Sequence, residues 1–172
     1  AGGQQEEAKP VVETKPVAEA HVVEEKSGVN DTYEFFNSDE YEYLKDPNSV
    51  YQTMTYDQMV KLFESEGTYM VLFGGSWCGT TQTVVSQIND VAKEYGVETI
   101  YNFDWRMDGK SGDRHLRDTK NPYAHLYVDF VNKYHPNIVT ISDSPISYVN
   151  EAGETAEANK MYVPFLMVYN KD

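Results

Sequence analysis

Cysteine occurs once in the 172 residues, at position 78, within Ser76-Trp77-Cys78-Gly79-Thr80-Thr81. Residues 68–73 before it form a short apolar run, and an amphipathic stretch follows it, so the thiol falls where a helix begins. Unpaired backbone N–H groups and the positive end of the helix dipole converge there, and both stabilise a thiolate relative to a thiol. A thiolate that is also partly exposed is a nucleophile. Thr81 lies one turn further on, within reach to donate its hydroxyl to the sulfur. The competing reading of Cys78 is a small buried hydrophobe, since free cysteines are among the most buried residues. A single cysteine excludes an intramolecular disulfide and any multi-cysteine metal site.

The surrounding pattern supplies the elements that hold this thiol. Thr55-Tyr56-Asp57-Gln58 is a capping-box pattern, Met59, Val60, Leu62 and Phe63 follow at helical spacing, and Gly67 marks a stop. The run 68–73 between glycines suits a strand covered on both faces. After the cysteine, Val84, Val85, Ile88, Val91, Ala92 and Tyr95 recur at steps of three and four, and Gly96 closes the helix. Residues 97–104 read as a strand. A helix is expected over about 122–134, with Asn121 as N-cap, Pro122 in its first turn and His135-Pro136 as its stop. Stretches 138–141 and 146–149 read as extended, 151–160 as a polar loop, and 161–169 as a buried strand with a proline near its start. Strands alternating with helices predict an α/β layer structure.

Fourteen Lys and Arg against 28 Asp and Glu give a formal charge of −14, which disfavours a nucleic-acid partner because phosphate binding needs a basic face. No apolar run approaches the roughly 20 residues that span a bilayer. Residues 1–30 contain no Leu, Ile, Met, Phe, Tyr or Trp. Such a stretch buries too little apolar area to offset the entropy of ordering it, so it reads as a disordered tether ahead of a domain at 31–172, or as a plain flexible N-terminus. From 31 to 50 the chain is acidic and aromatic. Tyr33, Phe35, Phe36, Tyr41, Tyr43 and Leu44 read as an extension packed on the core, with a ligand-binding lip as the alternative.

The sequence resembles the thioredoxin-like family. Four features in family order carry the resemblance: the capped helix 55–66, the strand 68–73, Trp77-Cys78-Gly79, and Val163-Pro164 opening a terminal strand. Together they cover roughly residues 50–104 and 161–172. The resemblance implies a thioredoxin-like three-layer α/β/α sandwich with an inserted segment at about 109–160. It implies that Cys78 attacks, that Trp77 flanks it, and that Pro164 is a cis-proline facing it. Val163, Pro164 and Gly79 would then contact the substrate chain.

The departures from the family narrow the chemistry. Thr81 stands where the second, resolving cysteine belongs, Thr80 replaces the motif's proline, and Leu72 falls where thioredoxins bury an acid. A dithiol cycle cannot run without a second thiol. The expectation is a monothiol variant, in which Cys78 exchanges with a protein or small-molecule thiol or disulfide and Thr81 supports the thiolate. A non-catalytic binding or adaptor module on the same scaffold is the rival from another class, and a peroxidase is a poorer third. The 1–30 composition resembles the spacer after the lipidated cysteine of bacterial lipoproteins, which implies an extracytoplasmic, surface-tethered protein. The family's final strand and C-terminal helix have no counterpart before Asp172, which reads as truncation unless another segment covers the sheet edge.

Other signals carry less. Residues 104–115 superficially suggest a calcium loop, but Arg106 and His115 occupy ligand positions, so no metal is expected there. No cofactor motif is present; Gly74-Gly75 lacks the Lys and Ser/Thr of a phosphate loop and suits close backbone approach. His21, His115, His125 and His135 have no metal spacing and are not expected to serve Cys78.

Overall fold

A computed structural model describes residues 26–28, 40–107, 109, 115–138 and 144–172. Strand β1 (Tyr51–Thr53) leads into helix α1 (Tyr56–Phe63), strand β2 (Gly67–Phe73) and helix α2 (Gly79–Glu94). Strand β3 (Ile100–Phe103), helix α3 (Ala124–Tyr134), strands β4 (Ile146–Val149) and β5 (Thr155–Ala158) and strand β6 (Phe165–Lys171) complete the order. The main sheet runs β1-β3-β2-β6, with β3 parallel to both β1 and β2 and β6 antiparallel to β2. Strands β4 and β5 form a separate antiparallel hairpin.

Alternation along the strands divides the core into two layers. Tyr69, Val71 and Phe73 of β2 and Tyr101 and Phe103 of β3 pack on one face against Met59, Leu62 and Phe63 of α1 and Tyr127, Phe130 and Val131 of α3. Leu72 and Ile100 point to the other face, against Val85 and Ala92 of α2 and Tyr41, Leu44 and Val50 of the preceding segment. Helices therefore cover both faces of a mixed sheet, an α/β arrangement. The first layer is dominated by rings: Phe73 stacks on Trp105 at 5.7 Å, and Phe63 meets Phe130 edge-on at 5.2 Å.

Several expectations change. The stretch 151–160 is not a loop throughout, because Thr155–Ala158 pairs with β4. The strand expected at 161–169 starts only at Phe165, and its burial alternates. Phe165, Met167 and Tyr169 lie against the aromatic layer, whereas Leu166 and Val168 are 40% and 58% exposed. On α2 the buried stripe is Thr81, Val85, Asn89 and Ala92, while Val91 and Tyr95 are exposed. The cause is shared. Ile88, Val91 and Tyr95 of α2 and Leu166 and Val168 of β6 line an open groove of about 520 Å³ instead of meeting across a closed layer. Asn89 is buried because it is saturated: its Oδ1 accepts from Val50 N and its Nδ2 donates to Asp46, both at 2.9 Å. Helix α3 starts at Ala124 with Tyr123 at the N-cap, and the Asn121 side-chain Oδ1 accepts from Tyr123 N at 2.8 Å.

Most of 1–30 lies outside the described residues, as do Tyr33, Phe35, Phe36 and 139–141. Lys26 and Ser27 are held: Lys26 N, Ser27 N and Ser27 Oγ all donate to Asp57 Oδ2, at 3.0, 3.2 and 2.9 Å. In the extension, Tyr41 and Leu44 are buried as expected, but Tyr43 is 55% exposed.

Candidate functional site around Cys78

The end of β2 positions the thiol. Gly74 N donates to Phe103 O at 3.2 Å, and buried Asn102 Nδ2 donates to Leu72 O at 3.0 Å and Gly74 O at 3.3 Å, which fastens the end of the strand to β3. The chain then turns, with Cys78 N donating to Gly75 O at 3.0 Å, and enters α2 with Cys78 as N-cap. Gln82 ties this loop to the preceding segment, donating to Ser76 O at 2.9 Å and Glu40 O at 2.8 Å. A Cβ at Gly75 would overlap Trp77 Nε1 and Asp104 Oδ2, so the close approach expected of this pair is required at Gly75.

Cys78 is half-buried, not sealed in the core. Its Sγ lies 3.8 Å from the carbonyl oxygen of Val163, and the Val163–Pro164 peptide bond is cis. Cys78, Val163 and Pro164 thus come together. Trp77 joins Cys78 and Val163 on the wall of a hollow of about 300 Å³, shared with Arg117, Lys160, Met161 and Tyr162. Gly79 begins α2 fully open, with nothing within 4 Å of where a Cβ would stand.

Thr81 does not do what its spacing suggests. Its side chain is buried, and its Oγ1 has no hydrogen-bond partner among the described residues, the sulfur included. The hydroxyl turns under the loop, where a Cβ on Gly74 would stand 3.0 Å from Thr81 Oγ1 and 3.6 Å from Pro164 Cα. Both the methyl and the hydroxyl of Thr81 thus pack against Gly74, each 3.0 Å from where that Cβ would stand. Leu72 is buried hydrocarbon in the layer under α2, with no acid in its place.

The other wall comes from residues far away in sequence. Trp105 Nε1 donates to Met161 Sδ at 3.4 Å, Met161 N donates to Tyr127 Oη at 2.6 Å, and Arg117 Nη1 donates to Met161 O. Tyr127 Oη in turn donates to Asn159 O at 2.5 Å. Three side chains therefore pin 159–161, and the two residues that follow carry the chain to the thiol. Burial pushes the Tyr127 hydroxyl up to about 12, so it stays a donor across the ordinary pH range.

Trp77 is held by its polar edge and its face. Its Nε1 donates to buried Asp104 Oδ1 at 2.9 Å, the Arg106 guanidinium lies 4.2 Å from its ring centroid and that of Arg117 5.9 Å. The His115 ring is 5.6 Å away. Burial, followed by the charges of Arg117, Arg106 and Lys160, pulls His115 down to about 4, so it is neutral at pH 7.

Asp104, Arg106, His115, Arg117 and Lys160 were not legible as one group in the sequence. Only the register of β3 beside β2 could have pointed to Asp104, which follows Phe103, the partner of Phe73. Compared with protein-family models, curated proteins and solved structures, the chain matches none.

Proposed function

We propose that the chain is a thioredoxin-like, monothiol thiol–disulfide exchange protein acting through Cys78, outside the cytoplasm and tethered at the bacterial surface through its N-terminal segment. The observation that carries the exchange reading is the meeting of Cys78 Sγ with Val163 O at 3.8 Å beside a cis Val163–Pro164 bond. Cys78 is the N-cap residue of a 16-residue helix, where unpaired N–H groups favour a thiolate although its sulfur makes no capping hydrogen bond, and it lines a hollow that a partner can enter. A partner strand lying along Val163 would present its disulfide to the thiolate. Helices on both faces of the mixed sheet suit the thioredoxin-like architecture, and the resemblance of 1–30 to lipoprotein spacers supports the location.

The rival is a binding module that keeps the scaffold without the chemistry. Buried Thr81, with no hydrogen bond to the sulfur, and apolar Leu72 favour it, because neither assists thiolate formation or proton transfer. Alkylation by iodoacetamide at pH 7 separates the two. Faster modification of Cys78 in the folded protein than in the urea-unfolded chain supports exchange, and a folded thiol protected until unfolding supports the binding module.

A further inference from the structure

The chain carries a formal charge of −14, yet the surroundings of its thiol are cationic. Arg117 and Lys160 line the hollow with Cys78, and Arg106 lies over the Trp77 ring. Among the described residues the opposing carboxylates nearby are Asp104, which already accepts from Trp77 Nε1 and Arg106 N, Asp118, and Glu40, which accepts from Ser76 Oγ at 3.3 Å at the loop's start. Among the described residues none of the three cations forms an ion pair; Lys93 with Asp46 and Lys133 with Glu64 do.

Arg117 is the telling member. It is only 9% exposed, it gives Nη1 to Met161 O, and its Nε has no acceptor among the described residues. That Nε is enclosed by protein, so the guanidinium lines the hollow with its charge under-compensated, which is costly until an anion arrives, and its planar head matches a carboxylate. We infer that the ligand taken up at Cys78 is a small disulfide bearing a carboxylate near its sulfur, the acid held by Arg117 with Lys160. This assignment rests on the exchange reading above. A small acid suits the site better than an acidic protein, because the overall negative charge repels a large anionic surface while a small ion feels mainly the nearby cations. In the step, the Cys78 thiolate attacks one sulfur of the disulfide and the ligand's S–S bond breaks. A Cys78–ligand disulfide forms, and the other half leaves as a thiolate that carries the electron pair.

The test uses three disulfides of similar length: 3,3′-dithiodipropionate (anionic), bis(2-hydroxyethyl) disulfide (neutral) and cystamine (cationic). Each rate with folded protein is divided by the rate of the same reagent with the urea-unfolded chain, which cancels the reagent's own reactivity. The expected ratio for the acid is about tenfold above that for the neutral compound, with cystamine lowest. Lys160→Glu and Arg117→Gln bring the acid down to the neutral level, and if Arg117→Gln fails to fold, Lys160→Glu alone decides. Ratios independent of charge, or favouring the neutral or cationic reagent, overturn the assignment and leave exchange standing. Folded protein slower than unfolded chain with all three reagents overturns exchange, and the assignment with it.

Discussion

Trp77 and Asp104 are joined by a 2.9 Å hydrogen bond from indole nitrogen to buried carboxylate, across two parallel strand ends. The same Asp104 oxygen accepts from Arg106 N at 2.8 Å, so one carboxylate fixes both the ring beside the thiol and the turn that brings Arg106 over that ring. The indole becomes a rigid wall of the hollow.

Gly75→Ala should therefore break this pair, since the added methyl overlaps both partners. The expected cost is about 1–3 kcal/mol in urea unfolding. A change in Trp77 fluorescence should accompany it, and Trp77→Phe should remove that change.

Thr81→Val removes a buried hydroxyl that has no hydrogen-bond partner among the described residues. Loss of an unsatisfied group should leave stability unchanged or raise it by about 1 kcal/mol, seen as a Tm higher by about 2–4 °C. Cys78 reactivity should be unaltered. A large drop would mean that the hydroxyl reaches the sulfur in solution.

His135 packs edge-on against Phe63 at 4.9 Å and tilted against Phe130 at 5.5 Å, and burial pulls it down to about 4 from 6.5. The unfolded chain then binds more protons than the folded one between those values. The contribution is fully present above pH 6.5 and is lost as pH falls towards 4. His135→Phe should flatten the acid side of the stability profile by about 1–3 kcal/mol over that window, measured by urea unfolding at several pH values. His115, lowered for the same first reason, should keep part of the slope.

Asp57→Ala removes the acceptor shared by Lys26 N, Ser27 N and Ser27 Oγ. Limited trypsinolysis should then cut after Lys26 several-fold faster, while α1 stays folded through its capping box. Equal cleavage rates would show that these bonds do not hold the segment.

How much of this the sequence reveals depends on whether a signal is local. The capping box is entirely local, and both its bonds form: Gln58 N donates to Thr55 Oγ1 at 3.3 Å and Thr55 N to Gln58 Oε1 at 2.9 Å. Strand β2 is legible because its second half is buried on both faces and residues 69–73 read as one apolar run, although Thr68 and Met70 border the open groove. Strand β6 misleads for the opposite reason: Leu166 and Val168 are as apolar as their buried neighbours, so the sequence hides the alternation. Thr155–Ala158 is short and mostly exposed, and its pairing with β4 has almost no compositional trace. Cys78 and Val163-Pro164 stand out by residue type, whereas Arg106, His115, Arg117 and Lys160 become a group only when the sheet and the pinned Met161 gather them.

Cys78 Sγ and Val163 O, in contact in the finished fold, are 85 positions apart. A ribosome adding about 5–20 residues per second takes roughly 4–17 s between the two codons. Throughout that interval the nascent thiol has neither its facing carbonyl nor the β6 strand that pairs with β2, and whatever oxidants surround the emerging polypeptide meet it unshielded. Speed of translation thus bears directly on how many molecules reach maturity with this sulfur still reduced.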